Sequence, residues 1–110
     1  MLKLISLARR KPGISREEFA RYWVEEHAPL VRSCLPGLRL YVLHVARPSP
    51  DGSEPEFDGV IELGFDDEAA LVAAMSSPAW LSSEREASSS RFLDMTSIVS
   101  IYTDEEHVVI

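Results

Sequence analysis

Three side chains of this sequence have the chemistry of acid–base catalysis: His27, Tyr41 and Asp58. His27 lies in an apolar stretch between Trp23 and Val31, and an ordinary pKa near 6.5 would let it move a proton at neutral pH. Tyr41 can donate a hydrogen bond to a developing enolate or carbonyl oxygen. Asp58 can orient a histidine and raise its basicity. These residue types predict proton transfer next to a carbonyl group.

Each of these three candidates also has a purely structural interpretation. His27 can be a core histidine with one ring nitrogen hydrogen-bonded, or can hold the backbone at Pro29. Tyr41 can be a packing residue whose hydroxyl lies at the edge of a pocket. Asp58 can cap a turn or pair with an arginine such as Arg39. The residue types alone leave both interpretations open.

The predicted substrate site is apolar, because small-molecule cavities are lined mainly by apolar and aromatic side chains with a few polar groups. His44 is also a candidate, although the spacing does not determine which face of the sheet it occupies. The candidate substrate-binding residues are Tyr22, Trp23, His44, Leu63, Phe65 and Trp80. Core or dimer packing is the alternative for each apolar member, and a buried structural role is the alternative for His44.

The sequence lacks the common motifs of metal, nucleotide and serine-hydrolase sites. Its histidines, His27, His44 and His107, are dispersed, and no HxH, HExxH or CxxC occurs. There is no GxGxxG, no GxxxxGK and no Gly-x-Ser-x-Gly. We therefore expect no metal and no cofactor.

A helix over Ser15–Arg32 must position His27. Ser15 is a suitable N-cap, and the apolar residues that follow recur at helical spacing. They are Phe19, Tyr22, Trp23, Leu30 and Val31. Glu26 and His27 interrupt this apolar face. Pro29 cannot donate the helical hydrogen bond, so we expect a kink or a restart at residues 27–29.

The remaining elements complete a β-α-β-β-α-β order. Strands are predicted at residues 2–8, 39–47, 57–65 and 95–103. The acidic residues 66–68 begin a second helix, which is expected to restart at Ser77-Pro78. This order predicts a ferredoxin-like α+β fold, in which a four-stranded antiparallel sheet carries both helices on one face. Residues 1–110 then form a single domain.

The first, second and fourth predicted strands carry apolar side chains on both faces. Two helices cover only one face, and the other would expose a large apolar patch. A symmetric homodimer packed sheet to sheet removes that patch, and the apolar tail 108–110 could cross onto the partner. We expect such a dimer, with a small apolar ligand held in the chamber between the two sheets.

Charge and hydropathy exclude other partners. The net charge of −7 argues against nucleic acid and against an acidic membrane surface. No apolar run approaches the roughly 18 to 20 residues that a membrane span needs. The N-terminus is interpreted as a strand and not as a signal peptide. The single cysteine, Cys34, is typical of a reducing compartment, so the expected location is cytoplasmic.

Four stretches of the sequence resemble EthD-type proteins of the dimeric α/β-barrel superfamily. They are LARRKPGISREEFARYWVEEHAPLV (7–31), PGLRLYV (36–42), FDGVIELGFDD (57–67) and EEHVVI (105–110). Together they extend over nearly the whole chain. The resemblance implies two ferredoxin-like subunits whose sheets face each other in a barrel-like core.

The resemblance is compatible with several activities. Relatives include lactone isomerases, polyketide cyclases, dehydratases or decarboxylases of aromatic-like compounds, and more distant monooxygenases. The lactone isomerases carry a helix-one histidine and a strand-two tyrosine, which His27 and Tyr41 match, and a strand-three cysteine, which is Leu63 here. Asp58 matches an aspartate that is common in EthD-type sequences.

The function predicted from these observations is proton-transfer chemistry on a small apolar carbonyl or aromatic metabolite. Isomerisation, cyclisation, dehydration and decarboxylation would all use the same arrangement of His27 and Tyr41. One alternative is a non-catalytic metabolite-binding or accessory protein of the same fold, and another is a cofactor-independent monooxygenase. Whether the chain is an enzyme at all is open at this point.

Overall fold

The computed structural model of the protein describes all of residues 1–110. The strands are β1 (Leu2–Arg10), β2 (Leu40–Val45), β3 (Gly59–Phe65) and β4 (Leu93–Thr103). The helices are α1 (Arg16–Tyr22), α2 (Ala28–Cys34), α3 (Glu68–Met75) and α4 (Ser83–Phe92), with a π-helical turn (Trp23–His27) between α1 and α2. No helix in this fold has the length and hydropathy of a transmembrane segment.

The four strands form one antiparallel sheet in the order β2-β3-β1-β4. The central strand β1 pairs with β3, where Leu4 lies opposite Leu63, and with β4, where Ser6 lies opposite Ser100. The helices pack on one face of this sheet. This is the ferredoxin-like α+β arrangement, and the fold prediction is therefore confirmed.

The helix-facing side of the sheet carries the hydrophobic core. Leu4 and Ala8 of β1 and Leu63 and Phe65 of β3 are all buried there. Aromatic side chains from the helices complete it, and the largest fully buried ones are Phe19, Trp23 and Phe92. The Phe19 and Trp23 rings meet edge to face, with their centroids 5.5 Å apart.

The opposite side of the sheet, here called the outer face, is not covered by a helix. Alternation along the strands places these apolar residues on it: Ile5, Leu7, Val42, Val60, Val99 and Ile101. Val99 and Ile101 are 50% and 57% exposed. Glu62 supplies polar contacts on the same face, with its carboxylate 2.8 Å from His44 Nε2 and 3.5 Å from Lys3 Nζ. A single subunit therefore leaves a mostly apolar sheet surface open to water.

The helical segment that carries His27 continues through Pro29 without a break. The π turn immediately precedes this proline, and within it the Ala28 N–H bonds to the Trp23 carbonyl, five residues back. The helix therefore does not break and restart at residues 27–29, and the interruption expected there is a local change of helical register. A proline clashes with the carbonyl four residues before it, and a wider π turn gives that carbonyl room.

The helix caps agree with the sequence at two positions and differ at a third. Ser15 and Asp67 cap α1 and α3 through their side-chain oxygens. The expected restart at Ser77-Pro78 is wrong, because residues 76–82 form turns and α4 begins only at Ser83, capped by Ser82. The Ser77 hydroxyl instead accepts the N–H three residues later and stabilises a turn. The turns let α4 return along the sheet and contact the π turn.

Candidate functional site

A cavity of about 300 Å³ lies between the sheet and the helices. Leu4, Ser6 and Ile61 on the helix-facing side of the sheet form its floor, and the π turn, α2 and α4 contribute walls. Met95 and Ile98 of the edge strand β4 also line it, and both are exposed, which places its opening at that edge. Because the floor is the helix-facing side, the cavity lies within one subunit. This cavity is therefore separate from the chamber predicted between two sheets, which one subunit alone does not form.

Two larger depressions on the surface differ from this cavity in their lining. One, of about 660 Å³, lies between the chain start and α3 and includes the acidic residues Asp66 and Asp67. The other, of about 650 Å³, runs along α2 and the start of β2. Neither contains His27, and their linings are more polar. The smaller cavity is therefore the candidate site.

His27 is the buried titratable group of the cavity, with only 6% of its surface exposed. Its Nδ1 lies 2.8 Å from the Ser88 hydroxyl, and its ring packs against Phe92 with the centroids 4.7 Å apart. Its Nε2 forms no hydrogen bond within the protein. Nε2 is therefore the ring nitrogen that remains for a ligand.

A short hydrogen-bonded chain runs from Tyr22 through Ser88 to His27. The Tyr22 hydroxyl is 2.9 Å from Ser88 Oγ, which in turn contacts His27 Nδ1. If Tyr22 donates to Ser88 and Ser88 donates to Nδ1, Nε2 carries the ring proton and is a donor. If the direction reverses, Nδ1 donates to Ser88 and Nε2 is an unprotonated base. The chain can therefore accommodate either neutral tautomer.

The pKa of His27 is lowered from its ordinary 6.5 to about 4. Burial is the main cause, since it disfavours the charged ring, and the positive charge of Arg85 adds to the effect. The expectation of an ordinary pKa near neutrality is therefore corrected. At pH 7 the ring is neutral, so it can accept a proton or donate a hydrogen bond but does not act as an imidazolium acid.

Tyr41 projects from β2 into the same cavity. Burial raises the pKa of its phenol to about 12, with a smaller opposing contribution from the Trp23 side chain. The hydroxyl is therefore protonated at neutral pH and can donate a hydrogen bond to a ligand oxygen. The structure thus brings His27 and Tyr41 together in one mostly apolar space.

The cavity includes some of the candidate substrate-binding residues and leaves out others. Trp23, Leu63 and Trp80 line it. Phe65 is fully buried in the core beneath α3, and Tyr22 contacts Ser88 and Phe92 but does not line the cavity. These two are corrected to supporting residues, because neither side chain reaches the cavity.

Asp58 lies away from His27, just before β3. Its carboxylate accepts the Arg10 N–H at 2.8 Å, and its own N–H donates to the Ala8 carbonyl at 2.9 Å. These contacts join the end of β1 to the start of β3. The interpretation of Asp58 as an orienting partner of His27 is corrected to a structural one, because its carboxylate accepts the backbone N–H of Arg10 and does not contact His27.

His44 lies on the outer face and not in the cavity. Alternation along β2 directs Tyr41 and His44 to opposite faces of the sheet, and His44 pairs with Glu62 at 2.8 Å. The same hydrogen bond holds the pKa of Glu62 below its usual value. His44 is therefore not a substrate-binding residue of this site.

The sequence interpretation missed two residues of α4. Ser88 holds Nδ1 of His27, and Arg85 lines the cavity. The Arg85 guanidinium lies over the Trp80 ring at 4.0 Å, and its Nε donates to the Trp80 carbonyl at 2.7 Å. The signal was present as a helical stripe, because Arg85, Ser88, Ser89 and Phe92 recur at i, i+3, i+4 and i+7. The serine-rich composition of the segment obscured this stripe.

Metal-ligating side chains do not cluster in this structure. No group of three or more His, Cys, Asp or Glu side chains is arranged to hold an ion. The single cysteine, Cys34, is buried in the core and does not line the cavity. The polar groups that do line it are a neutral imidazole, a phenol, serine hydroxyls and one guanidinium.

Comparison with known proteins supports the resemblance seen in the sequence. The EthD domain family profile matches residues 11–96. No curated protein matches the chain significantly. An ethyl tert-butyl ether D (EthD) family protein from Bacillus halodurans is 26% identical, with 96% of this chain and 99% of that chain covered and a TM-score of 0.73.

Two solved structures with reported activities share the fold at lower identity. The hydroxynitrile lyase from Passiflora edulis is 14% identical, covers 99% of this chain and 96% of its own, and has a TM-score of 0.71. SnoaB, a cofactor-independent oxygenase from Streptomyces nogalater, is 12% identical, covers 98% of this chain and 95% of its own, and has a TM-score of 0.67. At these identities the likeness shows the fold and not the activity.

Proposed function

The chain belongs to the EthD domain family, and from its cavity we propose that it is a small-molecule enzyme that moves a proton next to a carbonyl group without a cofactor. The observation that carries the proposal is that His27 and Tyr41 line one mostly apolar cavity. A buried base and a half-buried phenol facing the same space are the two groups that enolisation requires.

The proposed step begins with a ligand whose carbonyl oxygen lies near Tyr41 and whose adjacent carbon lies near His27. His27 Nε2 takes the proton from that carbon, and the electron pair of the broken C–H bond moves into the carbonyl to form an enolate. The Tyr41 hydroxyl donates a hydrogen bond to the enolate oxygen. Return of the proton to a different atom gives isomerisation, while bond formation or loss of a leaving group gives cyclisation or dehydration.

The low pKa of His27 restricts the substrates that fit this step. A base whose conjugate acid has a pKa of about 4 is weak, so the proton it removes must itself be acidic. A carbon between two carbonyls, or one whose loss of a proton gives an aromatic ring, meets this condition. Small apolar compounds of these two kinds are therefore the substrates that the proposal favours.

The other cavity residues hold the ligand. Trp23, Leu63 and Trp80 offer apolar contact surfaces, and Ser88 with Tyr22 fixes the orientation of the His27 ring. Trp23 lies so close to β3 that a Cβ at Gly59 would be 2.6 Å from its indole, so this wall has little freedom to move. A rigid, apolar wall favours one ligand orientation.

The proposal includes a homodimer that forms through the outer face. This face is apolar and uncovered in the single subunit, and a sheet-to-sheet pair would remove it from water. The exposed tail Val108–Ile110 could then pack on the partner. We also propose a cytoplasmic location and a small apolar ligand as the sole other partner, on the grounds given by the sequence.

A second candidate function is a binding or accessory protein that holds the same kind of ligand without changing it. The observation that favours it is the depressed pKa of His27, which makes the ring a weak base. Oxygen-dependent chemistry, which the oxygenase of similar fold performs, is a third candidate. It requires a substrate that itself activates oxygen.

The experiment that separates these candidates is hydrogen–deuterium exchange of benzoylacetone in D₂O, followed by NMR. The enzyme proposal predicts exchange faster than the buffer rate, and predicts that His27→Gln loses about 10²- to 10⁴-fold of that acceleration. His107→Gln is the matched control, because His107 is exposed in the tail and pairs only with Glu105. Benzoylacetone that binds to the wild type without accelerated exchange favours the binding protein, and unchanged exchange in His27→Gln contradicts the role of His27.

A further inference from the structure

Arg85 is the one charged residue that lines the cavity, and no acidic side chain lines it. The charge of Glu86, the next residue in the chain, acts on Arg85 without a salt bridge. The chain as a whole is acidic, with 18 Asp and Glu against 11 Lys and Arg. Arg21, for example, contacts one glutamate of α1 and two of the π turn that follows it. Arg85 forms no salt bridge, and its single hydrogen bond uses Nε and the Trp80 carbonyl. Its two terminal nitrogens therefore have no protein acceptor.

The position of Arg85 is fixed from two sides. The guanidinium carbon lies 4.0 Å from the centroid of the Trp80 ring, a cation–π contact, and Nε donates a hydrogen bond of 2.7 Å to the Trp80 carbonyl. A guanidinium held in this way is preorganised, so it loses little conformational entropy when it binds an anion. Burial in the cavity wall costs it part of its hydration, which a ligand anion would replace.

We propose that the ligand of this cavity is an apolar molecule that carries one carboxylate, and that Arg85 binds the carboxylate through its terminal nitrogens. A planar guanidinium matches a carboxylate with two parallel hydrogen bonds. The rest of the cavity is suited to a ring or short hydrocarbon, so Arg85 is the one charged partner that the acid group can have there. Arg85 is thus a positioning residue that directs the remainder of the ligand toward His27 and Tyr41.

Binding of the carboxylate would also change the electrostatic environment of His27. The positive charge of Arg85 is one of the two causes that lower the pKa of His27. A carboxylate paired with Arg85 offsets that charge, so binding raises the pKa of His27 and strengthens it as a base. The acid group of the ligand would then serve both orientation and activation.

The test compares cinnamate with cinnamamide, which have the same size and shape but differ in charge. Isothermal titration of the wild type is expected to show at least about tenfold tighter binding of cinnamate, since a hydrogen bond to a charged group contributes about 1.5 to 3 kcal/mol. Arg85→Gln is expected to abolish the preference and leave cinnamamide binding near the wild-type value. Arg85→Lys keeps the charge but not the planar fork, so it should retain part of the preference.

Arg91→Gln is the matched control, because Arg91 is exposed on the same helix and does not line the cavity. It should keep the full preference for cinnamate. Equal affinity of the wild type for acid and amide, absence of binding of either, or a preference that persists in Arg85→Gln would each overturn the proposal. The wild-type comparison needs no variant, so it stands even if Arg85→Gln fails to fold.

This inference rests on the proposed function only in taking the His27–Tyr41 cavity as the ligand site. The two proposals therefore fail separately. If cinnamate binds selectively through Arg85 but benzoylacetone exchanges no faster than in buffer, the enzyme proposal is contradicted and the carboxylate site is supported. If exchange is accelerated and depends on His27 but cinnamate and cinnamamide bind equally, the enzyme proposal is supported and the carboxylate site is contradicted.

Discussion

At the scale of single residues, the site depends on how its environment changes ordinary side chains. His27 and Tyr41 could be selected from the sequence, because a histidine that interrupts an apolar helix face and a tyrosine on a strand are visible there. The protonation states of these two side chains could not be predicted from the sequence. The pKa of His27 depends on burial and on Arg85, about sixty positions away in the chain, and the packing of α4 brings that residue close.

The lowered pKa of His27 makes a prediction about stability. The folded ring has a pKa of about 4 and the unfolded ring one near 6.5. Between these values the unfolded chain binds more protons, so stability falls as the pH falls through this window. His27 is expected to contribute up to about 3 kcal/mol to the loss of unfolding free energy between pH 7 and pH 4. Urea unfolding of the wild type and His27→Gln at both pH values measures this contribution.

The variant comparison isolates His27 from the carboxylates that titrate in the same range. His27→Gln should lose less unfolding free energy on acidification than the wild type, and His107→Gln, altered at an exposed position, should behave like the wild type. Equal losses in the wild type and His27→Gln would mean that His27 is not held neutral by the fold.

At the scale of elements, periodicity was a sound guide to where strands and helices lie but not to their local geometry. The Ser15 cap and the four strands follow from residue type and alternation. The π turn at Trp23–His27 does not, because a proline in a helix can be accommodated by a kink, a break or a wider turn. Packing decides among these, and here Trp23 and His27 are both buried against the core.

The outer face is the element-scale feature with the clearest test. Ile101 of β4 is 57% exposed on this face, and Val72 of α3 is 53% exposed on the helix side of the molecule. If two sheets pair, Ile101→Lys places two unpaired charges in a symmetric interface. We expect dimer affinity to fall by at least about 100-fold, as judged by light scattering over a dilution series.

Val72→Lys is the control for this substitution, because it adds the same charge at a similar exposure on the other side of the molecule. It should leave the dimer intact. A wild type that scatters as a single subunit at all concentrations, or an Ile101→Lys variant that dimerises as well as the wild type, contradicts pairing through the outer face.

At the scale of the whole molecule, the two sides of the sheet have separate roles. The order of elements and the apolar character of both faces were enough to predict the ferredoxin-like fold. They were not enough to place the ligand site, because the face of each side chain depends on strand register. Tyr41 and His44 are three residues apart on β2 and so point to opposite faces. The helix-facing side holds the cavity, and the outer face is left for association.

The central claim is that the ligand binds inside one subunit, beside His27, and not between two sheets. His27 and His44 report on these two places, because one lines the cavity and the other lies on the outer face. The most direct measurement is a titration of the protein with benzoylacetone, followed through the ring signals of both histidines by NMR. The structure predicts that the His27 signals shift with saturating ligand and that those of His44 stay in place. Shifts at His44 with His27 unaffected would contradict it.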